Sequence, residues 1–511
     1  MKNKLWIIPM VIALCVYSVA LNNFFVYDDF IWLNRARTLS QNWRQMFSPD
    51  VIYFDPLIYL MFVADSFVAY LDPKWCHAVD LMIHAFNALL VYRFAKMLSG
   101  DDKAGLYGSI LFASSFAIAD AVLWPSSRVD LVSVMFSLGT LILFLKYLRT
   151  DNRRFLWLSC FLFILALGAK GTPVVMPLFL LWLLFMEEKP FRRFGSAAPF
   201  VLLVILYFAL LKTTLHNIAS PNTALHFNLG NVSLALCELF IPERHVATLN
   251  LAVTASMLAI LVIALGFLKF SRVSLTRLRR TGIVILAGGL LPLLALGDFK
   301  PATNIKEMIF LLTSPSHRIY LATVGFVLIG GGVLRSLELL IKRYYPKAAT
   351  LAVTLTLVSV VLFNAIEVRE RDRIWEYAGM VTASGLYGLL DHRDKIREDG
   401  IIGLIGFPGS TGFLNPMIKV YFNLNEITTS KFLKVGPSAP IEMLKRAERS
   451  SFFVLGNDLR VYDLSNQFKK LLFLDKQAKL NPWIPEYVTE GDIISRDMNQ
   501  TIVEVLKRDK M

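Results

Sequence analysis

Charge is what this chain has least of. Of its 511 residues, 18% are Asp, Glu, Lys or Arg, where a soluble globular domain carries roughly 25%. That shortage argues against a wholly soluble chain. Acidic residues are the scarcer sign, 39 against 53 basic, for a formal net charge of +14. The basic residues fall in short clusters between apolar blocks and not along one soluble face, which argues against a nucleic-acid surface. Cysteine is also scarce. Cys15, Cys76, Cys160 and Cys237 are scattered, without a CxxC pair, so neither a disulfide framework nor a zinc site is indicated and they read as packing residues. The polar C-terminal part holds no repeat of about 34 residues. No small-x-small cleavage site precedes Asn22, so the apolar run Leu5–Leu21 behind Lys2 and Lys4 reads as a retained signal-anchor helix.

Apolar sequence fills the chain instead. It is 55% hydrophobic, with a mean hydropathy of +0.54. The apolar residues gather in blocks of about 20, the length that crosses a hydrocarbon core of roughly 30 Å. Spans are predicted at 5–22, 77–98, 104–123, 129–148, 155–169, 172–187, 196–215, 247–269, 281–297, 318–340 and 348–367. With Lys2 and Lys4 inside, five further basic groups fall on that same side. They are Lys103; Arg149, Arg153 and Arg154; Lys189, Arg192 and Arg193; Arg272, Arg277, Arg279 and Arg280; and Lys342, Arg343 and Lys347. The positive-inside rule requires this agreement. The expected fold is a polytopic α-helical membrane protein of about 11 transmembrane helices, with a cytoplasmic N-terminus and a small soluble α/β domain at the other end of the chain.

The transmembrane domain is expected at 1–368, with a first outer loop at about 23–76, and the extracytoplasmic α/β domain at 369–511. Within the first loop, Leu57–Leu71 is apolar but short and is interrupted by Asp65; it is expected to lie along the membrane surface. Two further outer segments fall at about 216–246 and 298–317. The run Arg369-Glu370-Arg371-Asp372-Arg373 is expected to end the last span. Beyond it, Ile401–Phe407, Ser451–Leu455 and Thr501–Leu506 read as strands and Pro440–Arg449 as a helix.

Ionisable groups in or beside a membrane are costly and need a reason. Asp28 and Asp29 stand directly outside the first span. Adjacent carboxylates at an apolar boundary raise one another's affinity for a proton, so one of them can act as a base toward a hydroxyl; an ordinary helix cap is the equal alternative. His77, Asp80, His84 and Asn87 are spaced to share one helical face. His77 and Asp80 read as cavity residues, and His84 and Asn87 as interhelical hydrogen-bonding groups. Asp120 precedes a short loop carrying Arg128 and Asp130, for which an internal Arg128–Asp130 or Arg128–Asp120 pair is the plain alternative. Lys170 and His317-Arg318 complete the set, and a guanidinium or ammonium placed there suits an anionic headgroup. All of these fall on the outer side. A cavity open to one face suits an enzyme site better than a pore, which spreads polar groups through the membrane.

In their order along the chain, these motifs resemble the GT-C superfamily of membrane glycosyltransferases, in its protein O-mannosyltransferase-like branch. The likeness is carried by Phe25-Val26-Tyr27-Asp28-Asp29, Pro56-Leu57, His84-Ala85-Phe86-Asn87-Ala88-Leu89-Leu90, Asp120-Ala121-Val122-Leu123-Trp124, Arg128-Val129-Asp130-Leu131, Ala169-Lys170 and Arg318-Ile319-Tyr320-Leu321. It covers about residues 1–375. The resemblance implies inverting transfer of a sugar from a polyprenyl-phosphate donor to a glycan, lipid or protein hydroxyl on the extracytoplasmic face. Asp28 would be the general base, with Asp29 its neighbour, and Asp120 would stand for the acidic residue of a Glu-Ala-Val-x-Trp pattern. Arg128, Lys170, Arg318 and Tyr320 would bind the donor phosphate, and His77, Asp80, His84 and His317 would line the cavity. No cofactor is implied; a divalent metal is compatible with the carboxylates, although no ligand set is readable. The expected location is a bacterial inner (plasma) membrane. The chain departs from the family at Gly171, where Lys-Glu is usual, at His317, where Glu-Arg is usual, and at Asp55, where Arg-Pro-Leu is usual. Asp80 sits where asparagine is commoner, and the branch's tetratricopeptide repeats are missing. Two other functions fit the same features: an inactive scaffold of this fold, and a lipid-linked glycan transporter or flippase. A lipid-linked polysaccharide ligase or polymerase would share the donor class without the Asp-Asp placement.

Overall fold

The structure is a computed structural model that describes residues 4–47, 54–186, 194–214, 228–246, 250–267, 273–295, 316–408, 411–431, 449–480 and 485–507. Its main helices are α1 (Ile7–Tyr17), α2 (Asp29–Gln41), α3 (Pro56–Ala69), α4 (Pro73–Ser99), α5 (Asp102–Ser114), α6 (Ala119–Leu123), α7 (Arg128–Thr150), α8 (Arg153–Ala169), α9 (Met176–Met186), α10 (Ala198–Thr214), α11 (Leu229–Glu238), α12 (Leu251–Phe267), α13 (Val273–Leu290), α14 (Tyr320–Tyr344), α15 (Pro346–Leu390), α16 (Thr411–Phe422), α17 (Ser465–Leu480) and α18 (Pro485–Lys507). The chain divides into two compact units: residues 1–23 with 42–375, and residues 24–41 with 376–511. The outer segment at 298–315, the loop basic residues Lys189, Arg192, Arg193 and Arg272, and residues 440–448 of the expected helix Pro440–Arg449 lie outside the described residues.

The first unit is helical, and each expected span overlaps a helix. Among the described residues, five helices are long and apolar enough to cross a membrane, or six if α5 and the segment Phe116–Leu123 count as one span bent by 52°. The chain is thus an integral membrane protein. Shorter apolar helices, among them Ile7–Asn22, Pro56–Ala69, Thr172–Met186 and Leu251–Leu265, accompany them. Two boundaries differ from the expectation. The helix expected from 281 begins at Val273 and takes in Arg279, which is fully buried and donates to Ser336 Oγ at 2.8 Å. The charged run Arg369–Arg373 does not end its helix, which continues to Leu390.

Small residues set how the helices cross. A Cβ added at Gly282 of α13 would lie 2.6 Å from the Gly325 carbonyl of α14. On another side of α14, one added at Gly331 would lie 2.6 Å from the Gly108 amide of α5. Backbones this close exclude any side chain, as expected where helices associate by packing rather than by the hydrophobic effect. At one end of the bundle, Glu338 is fully buried and accepts from Lys103, from Tyr107 Oη at 2.8 Å, from Arg335 at 2.6 Å and from Thr350 Oγ1 at 3.1 Å. Four partners satisfy that carboxylate, so this network reads as a lock between α5, α14 and α15.

The second unit is built on a four-stranded sheet of order β2-β1-β3-β4, with β1 (Ile401–Ile405), β2 (Thr428–Lys431), β3 (Ser451–Leu455) and β4 (Val461–Asp463). β1 pairs in parallel with β2 and β3, and β3 pairs antiparallel with β4. Ile401, Ile405, Phe452 and Val454 pack against Phe468, Leu471 and Leu472 of α17 and Met498, Ile502 and Val505 of α18. Thr501–Leu506, expected as a strand, belongs to α18. Its buried residues recur at 498, 502 and 505, which is a helical period and not an alternation. Helix α2 belongs to this unit because Arg37 reaches the end of α16, donating to the Lys419 carbonyl at 2.9 Å and the Leu424 carbonyl at 2.8 Å. A guanidinium there satisfies carbonyls that a helix end leaves open.

Candidate functional site

In the first unit, the polar residues of distant segments meet at the bundle end opposite Glu338. The bend after α5 starts this. Ser115 leaves the helix with extended backbone, and the Tyr17 hydroxyl donates to its carbonyl at 2.5 Å. The chain then re-forms as α6 with Asp120 in its first turn. Asp120 is buried and takes two parallel bonds from Arg371 of α15, 2.6 Å to each oxygen, and a third from Trp375 Nε1 at 2.8 Å. This is the planar two-point geometry that a guanidinium makes with a carboxylate. Trp375 stacks on Trp124 with centroids 5.4 Å apart, and Trp124 meets the His317 ring edge-on at 5.6 Å.

Arg318 Nε donates to His317 Nε2 at 3.0 Å, which leaves the ring proton on Nδ1. Lys170, Asp120 and Arg371 all lie near enough to His317 to act on it electrostatically. Lys170 ends α8 in extended backbone, and its ammonium sits 2.6 Å from both oxygens of Asp130. Arg318 acts on Asp130 as well. Lys170, Asp130, His317, Arg318, Asp120 and Arg371 therefore form one continuous cluster of both signs.

Beside it, Arg128 at the start of α7 is fully buried. It donates to Asp80 Oδ1 at 2.5 Å, to Asp65 and to the Cys76 carbonyl at 3.1 Å, and it lies 4.5 Å over the Phe62 ring. Both of the pairs weighed for Arg128 from the sequence differ from this one. Sequence distance favours Asp120 and Asp130, but the crossing of α3 and α4 over α7 brings Asp65 and Asp80. A guanidinium so enclosed has no open face for a phosphate, which differs from the expected donor contact. His77 is fully buried next to it, and its two ring nitrogens have no partner among the described residues. Tyr320, also expected at the phosphate, is buried with its hydroxyl 2.7 Å from His84 Nδ1 and 3.2 Å from Asn87 Nδ2. Asn87 donates in addition to the Leu131 carbonyl at 2.9 Å. His84, Asn87 and Tyr320 thus tie α4, α7 and α14 together. Among the described residues, no three His, Cys, Asp or Glu side chains are grouped to hold a metal ion.

Asp55, Asp65, Arg371 and Trp375 are missing from the sequence-based set. Asp65 carried a signal, as the one charge in Leu57–Leu71. Arg371 and Trp375, four apart, share a helical face. Asp55 precedes α3 and is 9% exposed. Burial, with the Asp130 carboxylate adding to it against the opposing Lys170, pushes its carboxyl up to about 7.

Asp28 and Asp29 belong to the second unit. Asp29 is fully buried and accepts from the Val26 amide at 2.8 Å, closing the turn that opens α2. The Asp28 carbonyl accepts from Ile31 and Trp32 at 2.9 and 3.1 Å, while its side chain is half-buried. Tyr27, in left-handed backbone with φ 49°, makes the turn possible. A bulky residue in that conformation is strained by about 1–3 kcal/mol, which the surrounding packing must hold. Asp29 thus closes the turn ahead of α2, and Asp28 is the less buried of the two carboxylates.

No protein-family model matches the chain. One stretch is 26% identical over 161 residues to protein O-mannosyl-transferase TMTC2 of Mus musculus, covering 28% of this chain and 19% of that protein, so most of the relative's length is unmatched. Its name is that of the O-mannosyltransferases the motifs resemble. Among solved structures, the archaeal oligosaccharyltransferase AglB from Archaeoglobus fulgidus, in complex with an inhibitory peptide and a dolichol-phosphate, is similar at a TM-score of 0.45 and 12% identity, over 86% of this chain and 66% of that one. ArnT from Cupriavidus metallidurans bound to undecaprenyl phosphate is similar at 0.43 and 13%, over 88% and 93%.

Proposed function

We propose that the chain is a membrane glycosyltransferase that moves a sugar from a polyprenyl-phosphate donor to an acceptor hydroxyl on the extracytoplasmic face. The observation that supports it best is the cluster at one end of the helix bundle, where Lys170, Arg318 and Arg371 stand among Asp120, Asp130 and His317. Its chemistry suits a donor whose leaving group is already a phosphate. Such a group needs no strong acid; it needs cations that stabilise its charge as the glycosidic bond breaks. Lys170 and Arg318 take that role in this reading. Asp130 orients the Lys170 ammonium, and the Asp120–Arg371–Trp375 unit fixes the loop that leads to Arg128. Arg128 holds α3, α4 and α7 in register and does not touch the donor.

Asp28 is the proposed general base, drawing the proton from the acceptor hydroxyl in a single displacement at the anomeric carbon. Inversion follows from that single displacement. The sequence match to an O-mannosyl-transferase supports a hydroxyl acceptor. The test is sugar transfer from undecaprenyl-phosphate hexoses by the full chain in lipid nanodiscs. Asp28→Asn should abolish transfer while the protein stays monodisperse. Full transfer by that variant would remove Asp28 as the base, and a wild type that releases sugar from none of the donors would overturn the transferase reading itself.

A further inference from the structure

Asp55 is an unusual carboxylate. It occupies the residue before α3, where an aspartate ordinarily caps the helix, yet its side chain makes no capping bond. It is nine-tenths buried. Among the described residues, no hydrogen bond or ion pair to its oxygens is found, although Lys170 and Asp130 are near enough to act on it; the oxygens are not among the fully enclosed polar atoms that lack a partner, so they stay open to a ligand. A buried carboxyl without a partner is costly, and buried polar groups are otherwise nearly always satisfied. A group held in that state is explained if a ligand completes it.

Its surroundings say which ligand. The start of α3 abuts the end of α8, since a Cβ on Gly168 would touch Leu57 and Pro56 at 3.8 and 3.9 Å. Three residues on, the Tyr207 hydroxyl of α10 stands 3.0 Å from where a Cβ on Gly171 would be, and Asp55 acts electrostatically on Tyr207. Gly171 thus leaves room for a phenol hydroxyl beside the carboxyl. Lys170, next to them in the chain and 2.6 Å from Asp130, is the cation that the transferase reading gives to the donor phosphate. A carboxyl accepting two hydrogen bonds, a hydroxyl able to give or take one, and a cation one residue away match the ring hydroxyls of a sugar whose phosphate lies at Lys170.

We propose that Asp55, with Tyr207 over Gly171, is the subsite that reads the hydroxyls of the transferred sugar and so determines which glycosyl group is accepted. This rests on the transferase reading and goes beyond it by locating sugar specificity. Asp55 makes or breaks no bond in the reaction.

The experiment compares the affinity of the full chain in nanodiscs for bare undecaprenyl phosphate with its affinity for undecaprenyl phosphate carrying mannose, glucose, galactose or N-acetylglucosamine. It is run on wild type, Asp55→Asn and Asp55→Ala. Wild type should bind at least one sugar-bearing lipid more tightly than the bare one. Asp55→Ala should lose about tenfold or more of that gain, the size of a lost hydrogen bond to a charged group, with the bare lipid bound within about twofold of wild type. Asp55→Asn should lose part of it and change the order of preference among the four sugars. Equal gain in wild type and both variants would overturn the subsite and leave the transferase reading standing. A parallel fall for bare and sugar-bearing lipid would make Asp55 structural and overturn it too. Gain for none of the sugars in wild type would overturn both readings.

Discussion

Replacing Arg128 with methionine separates a structural guanidinium from a substrate-binding one. The side chain is fully buried between two carboxylates, with a bond of 2.5 Å to Asp80, one to Asp65 and one of 3.1 Å to the Cys76 carbonyl. Methionine matches much of its volume and removes the charge. Asp65 and Asp80 would then face one another without a cation. Breaking a buried pair by deleting one partner costs about 3–5 kcal/mol, chiefly because the charge left behind is uncompensated. For a cooperative unit of roughly 350 residues, an unfolding entropy near 2.1 cal/mol/K per residue converts about 4 kcal/mol into a fall of about 5 °C. The assay is the temperature at which half of the detergent-solubilised protein leaves the monodisperse peak. Arg128→Met should lower it by that order. Adding Asp65→Asn and Asp80→Asn should recover most of the loss, because replacing a whole buried ionic group with uncharged residues is often neutral. Transfer activity should return with stability in the triple variant. A single variant that is inactive yet as heat-stable as wild type, or a triple variant that regains stability without activity, would show that Arg128 acts on the substrate and refute this assignment.

The Asp55 carboxyl gives a pH dependence of defined sign. Its folded value of about 7 lies above the ordinary unfolded value of about 3.9. The native state therefore holds the proton more tightly between those values, and stability falls as pH rises from about 4 to about 7, by an order of 4 kcal/mol in total at most. Asp55→Asn should flatten that slope and melt higher than wild type at pH 8; identical slopes in the two proteins would contradict the assignment. At the helix crossing, Gly282→Ala would drive a methyl group to 2.6 Å from the Gly325 carbonyl, and overpacking of this kind costs about 1–3 kcal/mol. Gly195→Ala, with nothing within 4 Å, should be neutral in the same heating assay, and equal behaviour of the two would show that the close crossing is not needed.

The helices were legible because a membrane imposes a length and a composition on them, and both are local properties of the chain. Asp120, Lys170 and Arg318 were legible for a related reason: an ionisable residue beside an apolar block announces itself wherever it falls. Their partners were not. Asp120 meets Trp375, 255 positions away, and Arg128 takes Asp65 and Asp80, 63 and 48 positions back, over the nearer Asp120 and Asp130. The rule that a buried arginine needs a carboxylate limits the answer without choosing it, because five aspartates on neighbouring segments meet the requirement equally. The choice is made by helix crossings that depend on small residues far from any charge, such as Gly282 against Gly325 and Gly108 against Gly331. Sliding α14 along either neighbour by one turn would move its charged start by about 5.4 Å, enough to separate His317 from Trp124 and Arg318 from Asp130. The same dependence explains Asp55. Read along the chain it is only a departure from Arg-Pro-Leu ahead of a proline; that it makes no capping bond, and that α8 and α10 bring Lys170 and Tyr207 near it, becomes visible in the fold. The glycines that have no chemistry of their own therefore decide which ionisable groups neutralise each other and which one is left for a ligand.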